Sequence, residues 1–187
     1  MISAPPKTSK SIWKRIPTFV TVLALVFVVY RSWTVFHVPF DIGPNLNLLN
    51  EHREPTSLTS LKGKVVLVDF WASWCQPCVF TVPKLQSLHE RFKDRGLVVL
   101  GVNMDEEPAT IAAAVTKHGM TYSQWTPQTS GWDDPAVMTY VSQGSIPTIY
   151  LLDASGSVRL SLQGLPPLFI PLGFWLLERQ IDSLLPH

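Results

Sequence analysis

Lys64-Val65-Val66-Leu67-Val68-Asp69-Phe70-Trp71-Ala72-Ser73-Trp74-Cys75-Gln76-Pro77-Cys78 is the stretch on which the reading of this chain turns. Its first half is an almost continuous β-branched and aromatic run, the pattern of a strand buried on both faces. Its second half ends in a C-x-x-C pair. Beyond it, Val82, Leu85, Leu88 and Phe92 recur at helical spacing until Arg95-Gly96, where a basic residue and a glycine mark a stop. The two cysteines therefore stand where a central strand hands over to a helix. There, unpaired backbone N–H groups and the helix dipole favour an anion, so the Cys75 thiol is expected to ionise readily and attack. Cys78, one turn further in, is placed to resolve the mixed disulfide that results.

Downstream, Leu97 to Val102 is a second apolar run, and the alanine-rich stretch Glu107 to His118, closed by Gly119, predicts a second helix. This β-α alternation points to parallel strands. A short helix is expected over Asp134 to Ser142. Strands follow over Ile146 to Leu152 and Val158 to Gln163, joined as a hairpin by a turn at Asp153 to Ser157. In the tail, Pro166, Pro167 and Pro171 argue against a second membrane span. From Leu172 onward, Phe174, Leu177, Ile181 and Leu185, with Glu178, Arg179 and Asp182 between them, predict an amphipathic helix covering one face of the sheet.

Upstream, Val38 to about Gly63 shows no sustained period and reads as a tether and lead-in. Before it, Ile16 to Tyr30 is uncharged and rich in Val, Leu and Phe, directly after Lys7, Lys10, Lys14 and Arg15. As a helix the run covers roughly 22 Å, short of the roughly 30 Å hydrocarbon core. Trp13 and Trp33, about 30 Å of helix apart, extend it to a full span with an indole at each interface. No small-residue cleavage pattern follows, so the segment reads as an uncleaved anchor rather than a signal peptide. The basic cluster places the amino terminus in the cytoplasm and the rest of the chain outside it. The expected organisation is a cytoplasmic segment (1–15), a transmembrane anchor (16–36), a tether (37–58) and a catalytic domain (59–187).

Composition narrows the function. The 187 residues carry 15 basic and 14 acidic side chains, a net charge of +1, so no field over the whole chain collects nucleic acid. With two cysteines, a multi-disulfide scaffold and a four-cysteine zinc site are excluded. His37, His52, His89, His118 and His187 are scattered without ligand spacing. No glycine-rich phosphate loop appears. Neither cofactor nor metal is expected. From the residues alone the pair can be a redox dithiol, half of a metal site, or two core cysteines.

Val68 to Cys78, with the later Ile146-Pro147-Thr148, resembles the thioredoxin superfamily over roughly Thr59 to Gly164. Leu61-Lys62-Gly63-Lys64-Val65-Val66-Leu67-Val68 is similar to its membrane-tethered TlpA, ResA and DsbE branch, and the ScsD-like copper-sensitivity-suppressor proteins are tethered in the same way. The resemblance implies a thioredoxin-like α/β fold, a central mixed sheet flanked by helices. It makes Cys75 and Cys78 a redox disulfide. Pro147 matches the superfamily's cis-proline, which presents backbone to a substrate strand, with Ile146 as a substrate-contacting neighbour. Asp69 matches a buried aspartate; a carboxyl in an apolar strand should have a raised pKa and could exchange a proton with Cys78. Pro83 matches a helix-kinking proline. Trp74 is expected at the rim of the site and Trp71 in the core.

One position departs from the branch, which commonly has a glutamate three residues after the second cysteine; here it is Thr81. That puts a dedicated role in cytochrome c maturation in doubt and leaves proton handling to Asp69. The leading expectation is a thiol-disulfide oxidoreductase of the inner membrane, acting on extracytoplasmic protein cysteines and served by a membrane thiol-disulfide carrier. Gln76-Pro77 has no histidine between the cysteines, which leans the reading towards a reductase. The competing classes are a thiol peroxidase, which would carry threonine where Ala72 stands, and a copper-delivery module, which would use C-x-x-x-C plus a histidine.

Overall fold

A computed structural model describes residues 45–141, 144–164 and 167–186, and four positions nearer the amino terminus, Val20, Val22, Leu23 and Val26. The chain divides into two units, 1–35 and 36–187. Those four residues are helical and exposed. The rest of the anchor expected over 16–36 lies outside the described residues. Among the described residues, no helix is long and apolar enough to cross a membrane.

The second unit is built on strand β3 (Val65–Trp71), all seven residues of which are buried. Being apolar on both faces, it takes the middle of the sheet. It runs parallel to β4 (Leu97–Asn103) and antiparallel to β6 (Thr148–Leu152). With β1 (Asn47–Leu49), β2 (Pro55–Ser57), β5 (Ser123–Pro127) and β7 (Val158–Gln163), the order across the sheet is β2-β1-β5-β4-β3-β6-β7. The strands β3, β4 and β5 are parallel and the remaining pairings antiparallel, so the sheet is mixed.

Three strands lie where the sequence showed none. The lead-in expected as a tether over 37–58 contributes β1 and β2, and Leu46 and Leu48 are fully buried. The domain therefore begins by Asn45. Three-residue strands are too short to display a period, and Pro55 opens β2 on the sheet edge, where a missing N–H costs no ladder bond. β5 (Ser-Gln-Trp-Thr-Pro) is polar for a strand lying between two neighbours, because its pairing with β4 and β1 rather than its propensity holds it there.

Helix α1 (Gln76–Phe92) buries Cys78, Thr81, Val82, Leu85, Leu88 and Phe92 and carries Pro83 in its interior. It packs on β4 and against α2 (Pro108–His118), which stops at Gly119 with φ 63°, a conformation that costs glycine little. The short α3 (Pro135–Tyr140) is capped by Asp134, whose carboxylate accepts from the N–H groups of Ala136 (2.8 Å) and Val137 (3.2 Å). It ends before the expected Ser142. The tail helix α4 (Ile170–Leu184) starts two residues earlier than expected and buries Phe174, Leu177 and Ile181. Arg91–Glu178 (2.7 Å) and Arg95–Asp182 (2.6 Å) tie it to α1 and to the turn that follows α1. Alternation along β3 separates two faces. Phe70 stacks on Tyr140 of α3 (ring centroids 5.3 Å), so Asp69 and Trp71 lie on the opposite face, which carries α1 and α2.

Candidate active site

Cys75 is the N-cap of α1, and its Sγ accepts from the N–H of Cys78 (3.2 Å). Pro77 in the first turn needs no partner for a missing N–H there. The two cysteines form a disulfide. Cys78 is fully buried, and Cys75 keeps a sliver of exposure at 4%. The order of access is thus the one helix position implied: the outer sulfur is Cys75.

A second segment reaches the same sulfur. The Ile146–Pro147 peptide bond is cis, and the carbonyl oxygen of Ile146 lies 3.7 Å from the Sγ of Cys75. Thr148 holds this turn by donating its hydroxyl to the carbonyl of Ser145 (2.8 Å). Ile146 and Pro147 are half-buried. Trp74 is 62% exposed at the rim, whereas Trp71 is fully buried and donates its indole N–H to the side-chain oxygen of Gln124 (2.9 Å). The Thr81 hydroxyl donates to the carbonyl of Cys78 (2.8 Å), so it is spent on the helix backbone.

Asp69 is wholly buried, and neither carboxylate oxygen has a hydrogen-bond partner among the described residues. Its backbone lies between Gly101 of β4 and Ile149 of β6. Burial without a compensating charge pushes its pKa up to about 8, so it holds or releases a proton within the physiological range.

Two supports of the site carry no signal in the sequence. Asp105, just past β4, accepts from the Ser73 N–H (2.8 Å) and the Ser73 hydroxyl (3.0 Å), clamping the loop two residues before Cys75. Trp132 brings its ring to 6.2 Å from that of Trp74, extending an aromatic rim. Both arrive by long-range contacts that no local pattern encodes. Pro77, Phe80, Pro147, Ile170 and Phe174 line an apolar hollow of about 350 Å³. A larger hollow, about 480 Å³ between α2 and the β1–β2 turn, has neither cysteine in its lining. No group of metal-binding side chains occurs among the described residues.

A redox disulfide at the head of a helix, fed by a buried strand and flanked by a cis-proline turn of a mixed sheet, defines a thioredoxin-like thiol-disulfide oxidoreductase. The profile of the AhpC/TSA family matches residues 40–161, and the chain belongs to that family. Within it, the relatives are of the ResA and DsbE type. The thiol-disulfide oxidoreductase ResA of Bacillus thuringiensis (strain Al Hakam) is 27% identical over 138 residues, covering 72% of this chain and 77% of its own. A crystal structure from Chlorobium tepidum, assigned as the thiol:disulfide interchange protein DsbE, superposes with a TM-score of 0.62 at 28% identity, covering 76% of this chain and 94% of its own. The fold also matches a protein disulfide isomerase-like structure from Bacteroides thetaiotaomicron, with a TM-score of 0.68 at 23% identity, over 80% of this chain and 92% of that one.

Proposed function

We propose that this oxidoreductase is anchored in the inner membrane by residues 16–36 and reduces disulfides of extracytoplasmic proteins. The observation that carries this reading is the asymmetry of the dithiol: Cys75 caps the helix beside the Ile146 carbonyl, and Cys78 is sealed behind it. In the reduced enzyme the Cys75 thiolate attacks a substrate disulfide, forming a mixed disulfide and releasing one substrate thiolate. Cys78 then gives its proton to the Asp69 carboxylate, and its thiolate attacks the Sγ of Cys75. The Cys75–substrate bond breaks, the second substrate thiolate leaves, and the Cys75–Cys78 disulfide closes. Two electrons from a membrane thiol-disulfide carrier restore the dithiol.

Ile146 and Pro147 offer the backbone against which the substrate strand lies, and Trp74 covers one of its flanks. The neutral pair Gln76-Pro77 adds no cation between the cysteines to stabilise a thiolate further, which supports reduction rather than oxidation of substrates. The basic residues before the apolar run support the orientation, with the domain in the periplasm or its equivalent.

Trapping in cells tests these roles. Cys78→Ser should accumulate mixed disulfides with extracytoplasmic proteins through Cys75, and Cys75→Ser should accumulate none and lose turnover. Equal residual activity in the two variants would overturn the assignment. Protease added to spheroplasts should digest the domain; protection until the membrane is opened would overturn the orientation.

A further inference from the structure

We propose that the buried Asp69 carboxyl exchanges its proton with solvent along a water-bridged path through Tyr122 and His89, opening on the flank of α1 rather than at the dithiol. The proposal rests on the reading of Asp69 as the proton acceptor for Cys78. Six buried side-chain nitrogen or oxygen atoms have no hydrogen-bond partner among the described residues, and four of them belong to these three side chains. They are both carboxylate oxygens of Asp69, the Tyr122 hydroxyl and the Nδ1 of His89. Such concentration is informative, because buried polar groups are nearly always paired with protein or with ordered water. No hydrogen bond joins these atoms to one another, so the path between them runs through water.

The sheet register places them together. Asp69 aligns with Gly101, and Gly101 with Gln124. Tyr122, just ahead of β5 and two residues before Gln124, is close enough to Asp69 to feel its charge. Gly101 presents no side chain, and the Gln124 amide fills the place where a Cβ would stand. That amide accepts from the Trp71 indole N–H and donates to the Tyr122 carbonyl (3.2 Å), and it makes no hydrogen bond to Asp69. The segment before β5 is pinned to α1: Gln86 accepts from the Thr121 N–H (2.9 Å) and donates to the Thr121 hydroxyl (2.6 Å). One turn further along α1, the His89 ring lies 6.2 Å from the Tyr122 ring. Tyr122 is 3% exposed, whereas His89, on α1, is half-buried.

The electrostatics suit a relay. Burial, with the Asp69 charge adding to it, raises the Tyr122 phenol well above its ordinary range, against a smaller opposing pull from the Gln124 side chain. Burial and then Lys93 hold His89 below its ordinary value, against Glu90 and Asp94. Tyr122 and His89 are thus both neutral where Asp69 titrates, each able to accept one proton as it passes on another. From β4 and β6, Asp69 is flanked by Gly101 and Ile149, which carry no charge. When Asp69 has taken the Cys78 proton, one proton enters the path at its carboxyl as one leaves at His89, and no group between them changes net charge.

The test is a jump of the full-length oxidised protein from about pH 6 to about pH 9, followed by time-resolved infrared absorption of protonated carboxyl groups. The Asp69 band is identified by its loss in Asp69→Asn. Tyr122→Phe should slow its decay by about tenfold or more, a step below the loss expected for a group acting directly on the reacting atoms. His89→Ala should slow it too, and added imidazole should restore the wild-type rate. Decay of Tyr122→Phe at the wild-type rate, or His89→Ala that imidazole does not rescue, would overturn the path while leaving Asp69 in its role. If no band is lost in Asp69→Asn, both the role of Asp69 and the path fall. Should Tyr122→Phe not fold, the imidazole arm decides.

Discussion

At the scale of the residue, the buried Asp69 makes stability depend on pH. Its carboxyl titrates near the usual 3.8 in the unfolded chain and at about 8 in the folded protein. Between those values the folded state binds the extra proton, so stability falls as pH rises through the window and levels off above it. The cost is at most on the order of 6 kcal/mol at the upper end, since each unit of displacement corresponds to about 1.4 kcal/mol. Asp69→Asn removes the titration. Chemical denaturation of the oxidised protein should show the variant gaining on the wild type from pH 4 to pH 8 and holding a constant advantage beyond. A difference that stays flat across that range would mean Asp69 is charged in the folded state. The same variant should slow resolution of the mixed disulfide by Cys78 more than attack by Cys75, read in single turnovers. Asp105 acts differently, through Ser73: Asp105→Ala should cost about 1–3 kcal/mol by orphaning a clamp on the loop before Cys75. Thermal unfolding with an unchanged midpoint would show that the clamp is dispensable.

At the scale of the element, the most direct check on the fold concerns the strands the sequence did not reveal. Leu48 is fully buried in β1 although it stands in a stretch that reads as a tether. Leu48→Ala should destabilise the domain by about 2–5 kcal/mol if β1 belongs to the core. A loss within a few tenths of a kcal/mol would return the segment to a tether. What was legible follows from length and regularity. β3, α1, α4 and the β6–β7 hairpin show long apolar runs, a helical period or a turn signal, each enforced by burial of one whole side. β1, β2 and β5 are short or polar, and their geometry comes from partners distant in sequence. The site divides in the same way. Cys75 and Cys78 announce themselves by spacing and by their place between strand and helix, and the resemblance supplied Asp69 and Pro147. Asp105, Trp132, Tyr122 and His89 reach their positions through contacts that bridge separate elements, and nothing beside them in the sequence marks them.

At the scale of the whole molecule, the sheet divides the labour. One face carries α1 and α2, with Asp69 and its neighbours enclosed against them, and the other carries α3 on Phe70. The dithiol sits at the edge between a helix end and the Ile146–Pro147 turn, where a second protein chain can meet it. The ion pairs joining α1 and the turn after it to α4 are half-exposed and fix an orientation more than they add stability, each worth about 1 kcal/mol or less. The direction of electron flow depends on how far the thiolate at the helix end is stabilised relative to the disulfide. The reduction potential of the Cys75–Cys78 pair in the full-length protein, set by equilibration in thiol buffers and read by alkylation, measures this directly. The account predicts a value near about −270 mV, that of a reducing dithiol; a value near about −120 mV, that of a disulfide donor, would contradict it.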